Sequence, residues 1–222
     1  MKGVFCTREV SEGIDGRARS VHSMLTSALS GCDVYCLNQV HSDKIVIAED
    51  ISPGDIPEAD AIISRNMDAV LCVRTADCVP VLAWSEEAHL IAAIHAGWRG
   101  LALRIVEKTI SAMKDLGGGD IRAGIGPAIG RCCYEVRMDV VEALGVEPET
   151  DGKGSLFVDL PQVAASRLLK AGLSPHAIDM KTLCTSCHDD RFFSFRRQGE
   201  KAGRNISVIG GKSWLLPGLQ VG

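Results

Sequence analysis

The sequence predicts an α+β protein with mixed β-sheets, or a closely related α/β arrangement, built as a single domain. Short apolar runs rich in β-branched residues crowd the middle of the chain. Helical patterns are fewer and lie interspersed among them, a pattern that mixed sheets produce. No Pro/Ser-rich linker, long charge run or short-period repeat interrupts the 222 residues. That length suits one domain with a large core, and one domain is the default reading.

The elements follow in order. Residues 17–30 read as a first helix. Strands are expected at 45–48, 61–63, 69–73, 79–83 and 90–94, many of them bounded by polar residues or glycine. A helix is expected over 101–113. Its apolar positions are Leu101, Ile105, Ile110 and Met113, and it ends before Gly117-Gly118-Gly119. Residues 138–144 read as a shorter helix and 156–158 as a strand. A third helix, 161–173, opens with Pro161 in its first turn and ends near Gly172. Residues 192–195 and 206–209 complete the set as strands. The short Gly210-Gly211 piece reads as a turn.

Composition narrows the function classes. Hydrophobic residues make up 46% and charged residues 23%, as in soluble globular proteins. Aromatics are 5%, so Ala, Val, Ile and Leu must build the core. The net charge is −4, and the longest basic run is Arg196-Arg197. A nucleic-acid scaffold needs a basic stripe, so that class is set aside. An anionic small molecule needs only a local basic pocket. No segment approaches the length of a membrane span, and the N-terminus does not read as a signal peptide. A cytoplasmic protein is expected. Nine cysteines, an odd number, are expected as thiols in a reducing compartment, mostly as small buried hydrophobes.

Three segments carry chemistry. They are Asn38-Gln39-Val40-His41, Thr75-Ala76-Asp77-Cys78-Val79-Pro80 and Ile94-His95-Ala96-Gly97-Trp98-Arg99-Gly100. Each sets a metal-ligand residue at an expected strand end or beside a turn. Two imidazoles and a thiolate suit zinc, and three protein ligands leave a fourth position for water or substrate. The wide spacing draws the ligands from separate elements, as in active sites. After His95 a small-residue turn leads into an expected helix, where backbone N–H groups favour an anion. Arg99 could add a bidentate contact there. Asp77 and Glu135 are candidate proton carriers, and Asp77 stands next to a ligand. On pattern alone, a lone histidine at a strand end is more often an ordinary hydrogen-bonded residue.

These segments occur in order with Gly126-Pro127-Ala128-Ile129-Gly130, Tyr134-Glu135-Val136, Phe192-Phe193-Ser194-Phe195-Arg196-Arg197 and Gly203-Arg204. The set resembles the YfiH-type laccase-domain proteins, also called the multifunctional purine nucleoside enzyme family. The resemblance runs from about residue 3 to residue 210. It implies a layered α+β fold with mixed sheets packed between helices. It implies a zinc site of His41, Cys78 and His95, with copper as the lesser alternative. It also implies deamination of adenosine, and phosphorolysis of adenosine, inosine, guanosine and methylthioadenosine, so purine nucleosides and phosphate are the expected partners. Residues 1–222 are read as one zinc-dependent catalytic domain, with Asp77 and Arg99 as catalytic residues. Two departures stand out: the segment after Thr7-Arg8 is short, and Asn205 replaces the residue usual after Gly-Arg.

Other readings weigh less. Cys78 could be a nucleophile with His95 as base and Asp77 as orienter. A true copper laccase would need several His-x-His pairs, and there are six histidines in all. Hydrolysis of another small molecule, such as a cell-wall precursor amide, stays open. So does a binding module that uses zinc for stability. Cys184-Thr185-Ser186-Cys187-His188 fits a haem-attachment pattern, but attachment requires export. The two thiols read first as buried residues, and otherwise as a redox dithiol or accessory metal site. Cys132 and Cys133 read as packing residues.

Overall fold

The computed structural model describes residues 3–29, 31–180 and 183–210. Ser30 and Gly211, at the edges of an expected helix and turn, lie outside them. In chain order the strands are β1 (Gly3–Phe5), β2 (Val34–Cys36), β3 (Ile45–Ile47), β4 (Ala61–Ser64), β5 (Val70–Thr75), β6 (Val79–Ser85), β7 (Leu90–Ala96), β8 (Arg122–Ile125), β9 (Glu135–Val136), β10 (Glu149–Thr150), β11 (Leu156–Phe157), β12 (Ile178–Met180) and β13 (Asn205–Gly210). The helices are α1 (Ala18–Ala28), α2 (Trp98–Ala102), α3 (Ile105–Asp115), α4 (Met138–Leu144), α5 (Leu160–Lys170) and α6 (Phe195–Gln198).

Two mixed sheets stack between helices. One has the order β1-β13-β5-β2 and the other β12-β8-β6-β7-β4-β3. Alternation along each strand explains the layers. In β5, Leu71 and Val73 face the second sheet and meet Leu82, Ile91 and Ala93. The intervening Val70 and Cys72 face α1, where Val21 and Leu25 cover them. In β7, Ile91 and Ala93 turn toward the first sheet, while Ala92 and Ile94 pack with Ile105, Ile110, Met113 and Leu168 of α3 and α5. Strands covered on both faces read as continuous apolar runs, as these do. A small third sheet, β10-β11-β9, is not hydrogen-bonded to either and packs Val136 and Leu156 against the core.

Register brings the three chemical segments together. β2 runs parallel to β5, so the loops after both strands leave the first sheet at one end. β6 pairs antiparallel with β7, with Val79 opposite Ala96 and Pro80 opposite His95. Cys78, one residue before β6, is therefore carried to the end of β7.

Three expectations need correction. The helix over 101–113 is two helices, α2 and α3, broken at Arg104, whose φ is 64°. Residues 192–195 are not a strand. Asn205 donates to the Phe193 carbonyl at 2.8 Å and accepts from the Phe193 N–H at 2.9 Å. That exchange satisfies the backbone without a ladder, and Ser194 then caps α6 by accepting from the Arg197 N–H. Third, Cys132 and Cys187 are exposed, so they are not core packing residues.

Candidate metal centre and its pocket

His41, Cys78 and His95 come together, with one donor atom from each lying within 4.8 Å of the others. The Cys78 Sγ is 3.8 Å from His41 Nε2. The two imidazoles meet edge to face, with centroids 4.9 Å apart. His95 is buried, Cys78 is half-buried and His41 is exposed, so the group has one open side.

Asp60 organises the centre. This fully buried carboxylate bonds the Nδ1–H of His95 at 2.8 Å. It also accepts from the backbone N–H groups of Val40, His41 and Ser42, and from the Ser42 hydroxyl at 2.7 Å. The first bond fixes the His95 tautomer and leaves Nε2 on the Cys78 side. The others hold His41 in the left-handed region, at φ 59°, where a side chain costs about 1–2 kcal/mol. Burial alone would raise the Asp60 carboxyl, but the bonds from His95 and Ser42 outweigh it and hold it at about 2.

The same balance acts on the ligands. Desolvation pushes the Cys78 thiol up, yet His95 and His41 outweigh it and the thiol is lowered. Desolvation pushes His95 down, yet Cys78 and Asp60 outweigh it and the imidazole is raised. Without an ion the pair therefore favours a Cys78 thiolate beside a protonated His95; the thiolate is the metal-binding form, and His95 gives up its Nε2 proton when an ion enters.

Gly97 completes the cradle. A Cβ there would stand 3.0 Å from both Cys78 Sγ and His41 Cδ2. The donor set, the open side and the cleared space fit a metal ion with three protein ligands.

The centre lies in a cavity of about 820 Å³, lined also by Asp77, Trp98, Arg99, Tyr134, Phe195 and Arg204. Asp77 sits in the β5–β6 turn with φ 87°. Its Oδ1 accepts from the Thr185 hydroxyl at 2.6 Å and its Oδ2 from the Arg196 N–H at 2.6 Å. The group that orients His95 is thus Asp60 and not Asp77. Glu135 bonds Ser155 instead, and it is not among the residues lining the cavity.

The arginines differ in what their guanidiniums already do. Arg74 donates to the Gly16 and Leu37 carbonyls, Arg196 to those of Cys133 and Glu135, and Arg204 to those of Ala202 and Gly203. Arg99 lies over the Trp98 ring, 4.6 Å from its centroid. Among the described residues it has no hydrogen-bond acceptor, so its donors are uncommitted. Phe192 and Phe193 are buried, while Phe195 is 52% exposed beside the cavity. Burial pushes the Tyr134 phenol up to about 12, so it stays neutral.

Sequence reasoning missed Asp60, and it named Phe195 within a motif without giving it a place in the cavity. The carboxylate at the mouth of the β4 apolar run was a faint signal for the first.

Residues 11–212 match the family described as multi-copper polyphenol oxidoreductase laccase. The chain belongs to this family. A Bacteroides thetaiotaomicron protein named purine nucleoside phosphorylase is 39% identical over 163 residues, 68% of this chain and 60% of that protein. The chain therefore spans less than two thirds of that relative's length. A protein named adenosine deaminase RL5, from an unknown prokaryotic organism, is 32% identical over 217 residues, 88% of this chain and 83% of the relative. The crystal structure of the hypothetical protein YfiH of Bacillus licheniformis superposes with a TM-score of 0.80 at 29% identity, covering 90% of this chain and 84% of that one. The layered fold with mixed sheets agrees with the expectation. Among the described residues no helix is long and apolar enough to cross a membrane.

Proposed function

We propose that residues 1–222 form one zinc-dependent catalytic domain, cytoplasmic, acting on purine nucleosides. The reactions are phosphorolysis of adenosine, inosine, guanosine and methylthioadenosine, deamination of adenosine, or both. The observation that carries the reading is the convergence of His41, Cys78 and His95 on one open side within a cavity large enough for a nucleoside. The names of the relatives support the substrate class.

Zinc bound there would supply a Lewis acid, able to acidify water or polarise a substrate oxygen. The chain supplies the rest. Asp60 holds the His95 ring and the His41 loop, so both nitrogens face the same point. Arg99 offers uncommitted donors to phosphate and to charge developing on it. Asp77, fixed by Thr185 and the Arg196 N–H, keeps further lone pairs for a proton beside the Cys78 ligand. Phe195 presents an aromatic face for a purine. Multi-copper oxidase chemistry needs more ligands than this centre has, with two of the six histidines in it.

The test is chromatography of adenosine incubated with zinc-loaded protein, with and without phosphate. Inosine, or adenine with ribose phosphate, is expected from wild type and not from His41→Ala. Nucleoside left intact by both proteins would end the purine reading.

A further inference from the structure

Four thiols outside the candidate centre lie together. Cys132 and Cys133 ride a turn closed by the Tyr134 N–H on the Gly130 carbonyl at 3.0 Å. Cys184 and Cys187 ride a second turn, closed by the His188 N–H on the Cys184 carbonyl at 3.2 Å. A parallel bridge between Ala128 and Cys184 sets the turns side by side, with the Thr185 N–H on the Ala128 carbonyl at 3.0 Å. The four Sγ atoms all lie within 4.8 Å of one another. Cys187 Sγ is 3.5 Å from Cys132 Sγ and 3.4 Å from Cys133 Sγ, so neither is singled out as its partner.

Core packing does not account for this cluster, because Cys132 and Cys187 are exposed. We propose that Cys132, Cys133, Cys184 and Cys187 form a second metal site, a closed four-thiolate shell for one structural zinc ion. A zinc–sulfur bond of about 2.3 Å makes the edge of a sulfur tetrahedron about 3.8 Å. The two Cys187 distances are slightly shorter than that, and the 4.8 Å limit on every pair confines the four sulfurs to the space around a single ion. Four soft ligands select zinc among the common divalent ions, and a full shell leaves no position for substrate. The Cys184-x-x-Cys187 turn adds a second feature of such sites. The Gly130 N–H points at Cys184 Sγ at 3.3 Å.

The site would brace the catalytic pocket. One turn leads into Tyr134, which lines the cavity. The other holds Thr185 on Asp77 and presents the Thr185 and Ser186 carbonyls to Arg197.

Cobalt titration of reduced, metal-stripped protein under anaerobic conditions tests this. Cys78→Ala removes a ligand of the first centre and leaves all four thiols in place. It is expected to take up about one Co²⁺ with intense sulfur-to-cobalt charge transfer and tetrahedral visible bands, and zinc should displace it. Wild type should take up about two. Cys132→Ser/Cys187→Ser should lose the four-thiolate spectrum and keep the other. Should Cys78→Ala bind no cobalt while thiol counting finds all four sulfurs reactive, the site does not exist.

Discussion

At the scale of single residues, Asp60 ties two candidate ligands, His41 and His95, to one carboxylate. An amide at that position can accept on one atom only. Asp60→Asn is expected to weaken metal binding about 10–100-fold with the fold retained. Competition against a chromophoric chelator measures it, and unchanged affinity would remove Asp60 from the centre. Gly97→Ala places a methyl 3.0 Å from Cys78 Sγ and His41 Cδ2. It should lower metal affinity while circular dichroism stays that of wild type. Arg99→Ala removes a cavity guanidinium that has no hydrogen-bond acceptor among the described residues. The KM for phosphate should rise about tenfold, the value of a charged hydrogen bond, with zinc content unchanged. Kinetics indifferent to the substitution would take Arg99 out of the site. The three candidate ligands were named from the sequence because their contiguous motifs carry the family resemblance, and the fold brings them together. Asp60 was not, because its partners are assembled from residues 40–42 and 95, and nothing between Ala59 and Ala61 announces them.

At the scale of elements, apolar periodicity located most of what the core demands. The runs at β4 to β7 are strands because both their faces are covered. β2 and β8 escaped notice for physical reasons. β2 is three residues long, and β8 contains Gly124 and is completed by pairing with β6 and β12. The aromatic stretch 192–195 failed in the opposite sense. Its residues favour strands, yet Asn205 binds the Phe193 backbone from both sides and leaves nothing for a ladder. Asn205→Ala would strand two buried backbone groups at about 1–3 kcal/mol each. A loss of at least about 2 kcal/mol in urea unfolding is expected. A loss within error would show that the 192–194 segment is held by Phe192 and Phe193 packing instead. The residue that looked like a family departure is thus a clamp between β13 and the segment that carries α6.

At the scale of the molecule, the two sheets deliver the centre by topology. β2 and β5 end at one edge of the first sheet, and β6 begins where β7 ends in the second. Three loops separated in sequence therefore meet at one place. The mix of helices and mixed sheets was legible from strand and helix patterns, and the layering was what the family resemblance implied. The thiol cluster was not, because Cys132-Cys133 and Cys184-x-x-Cys187 meet only through the bridge at Ala128. The central claim is that His41, Cys78 and His95 hold the metal on which nucleoside turnover depends. Adenosine conversion in the presence of phosphate, followed as zinc is returned to chelator-stripped protein, tests it most directly. Wild type should lose turnover on stripping and regain it with zinc, while Cys78→Ala, still folded, should hold about one zinc fewer and stay inactive. Full turnover by the stripped protein, or by Cys78→Ala, would contradict the account.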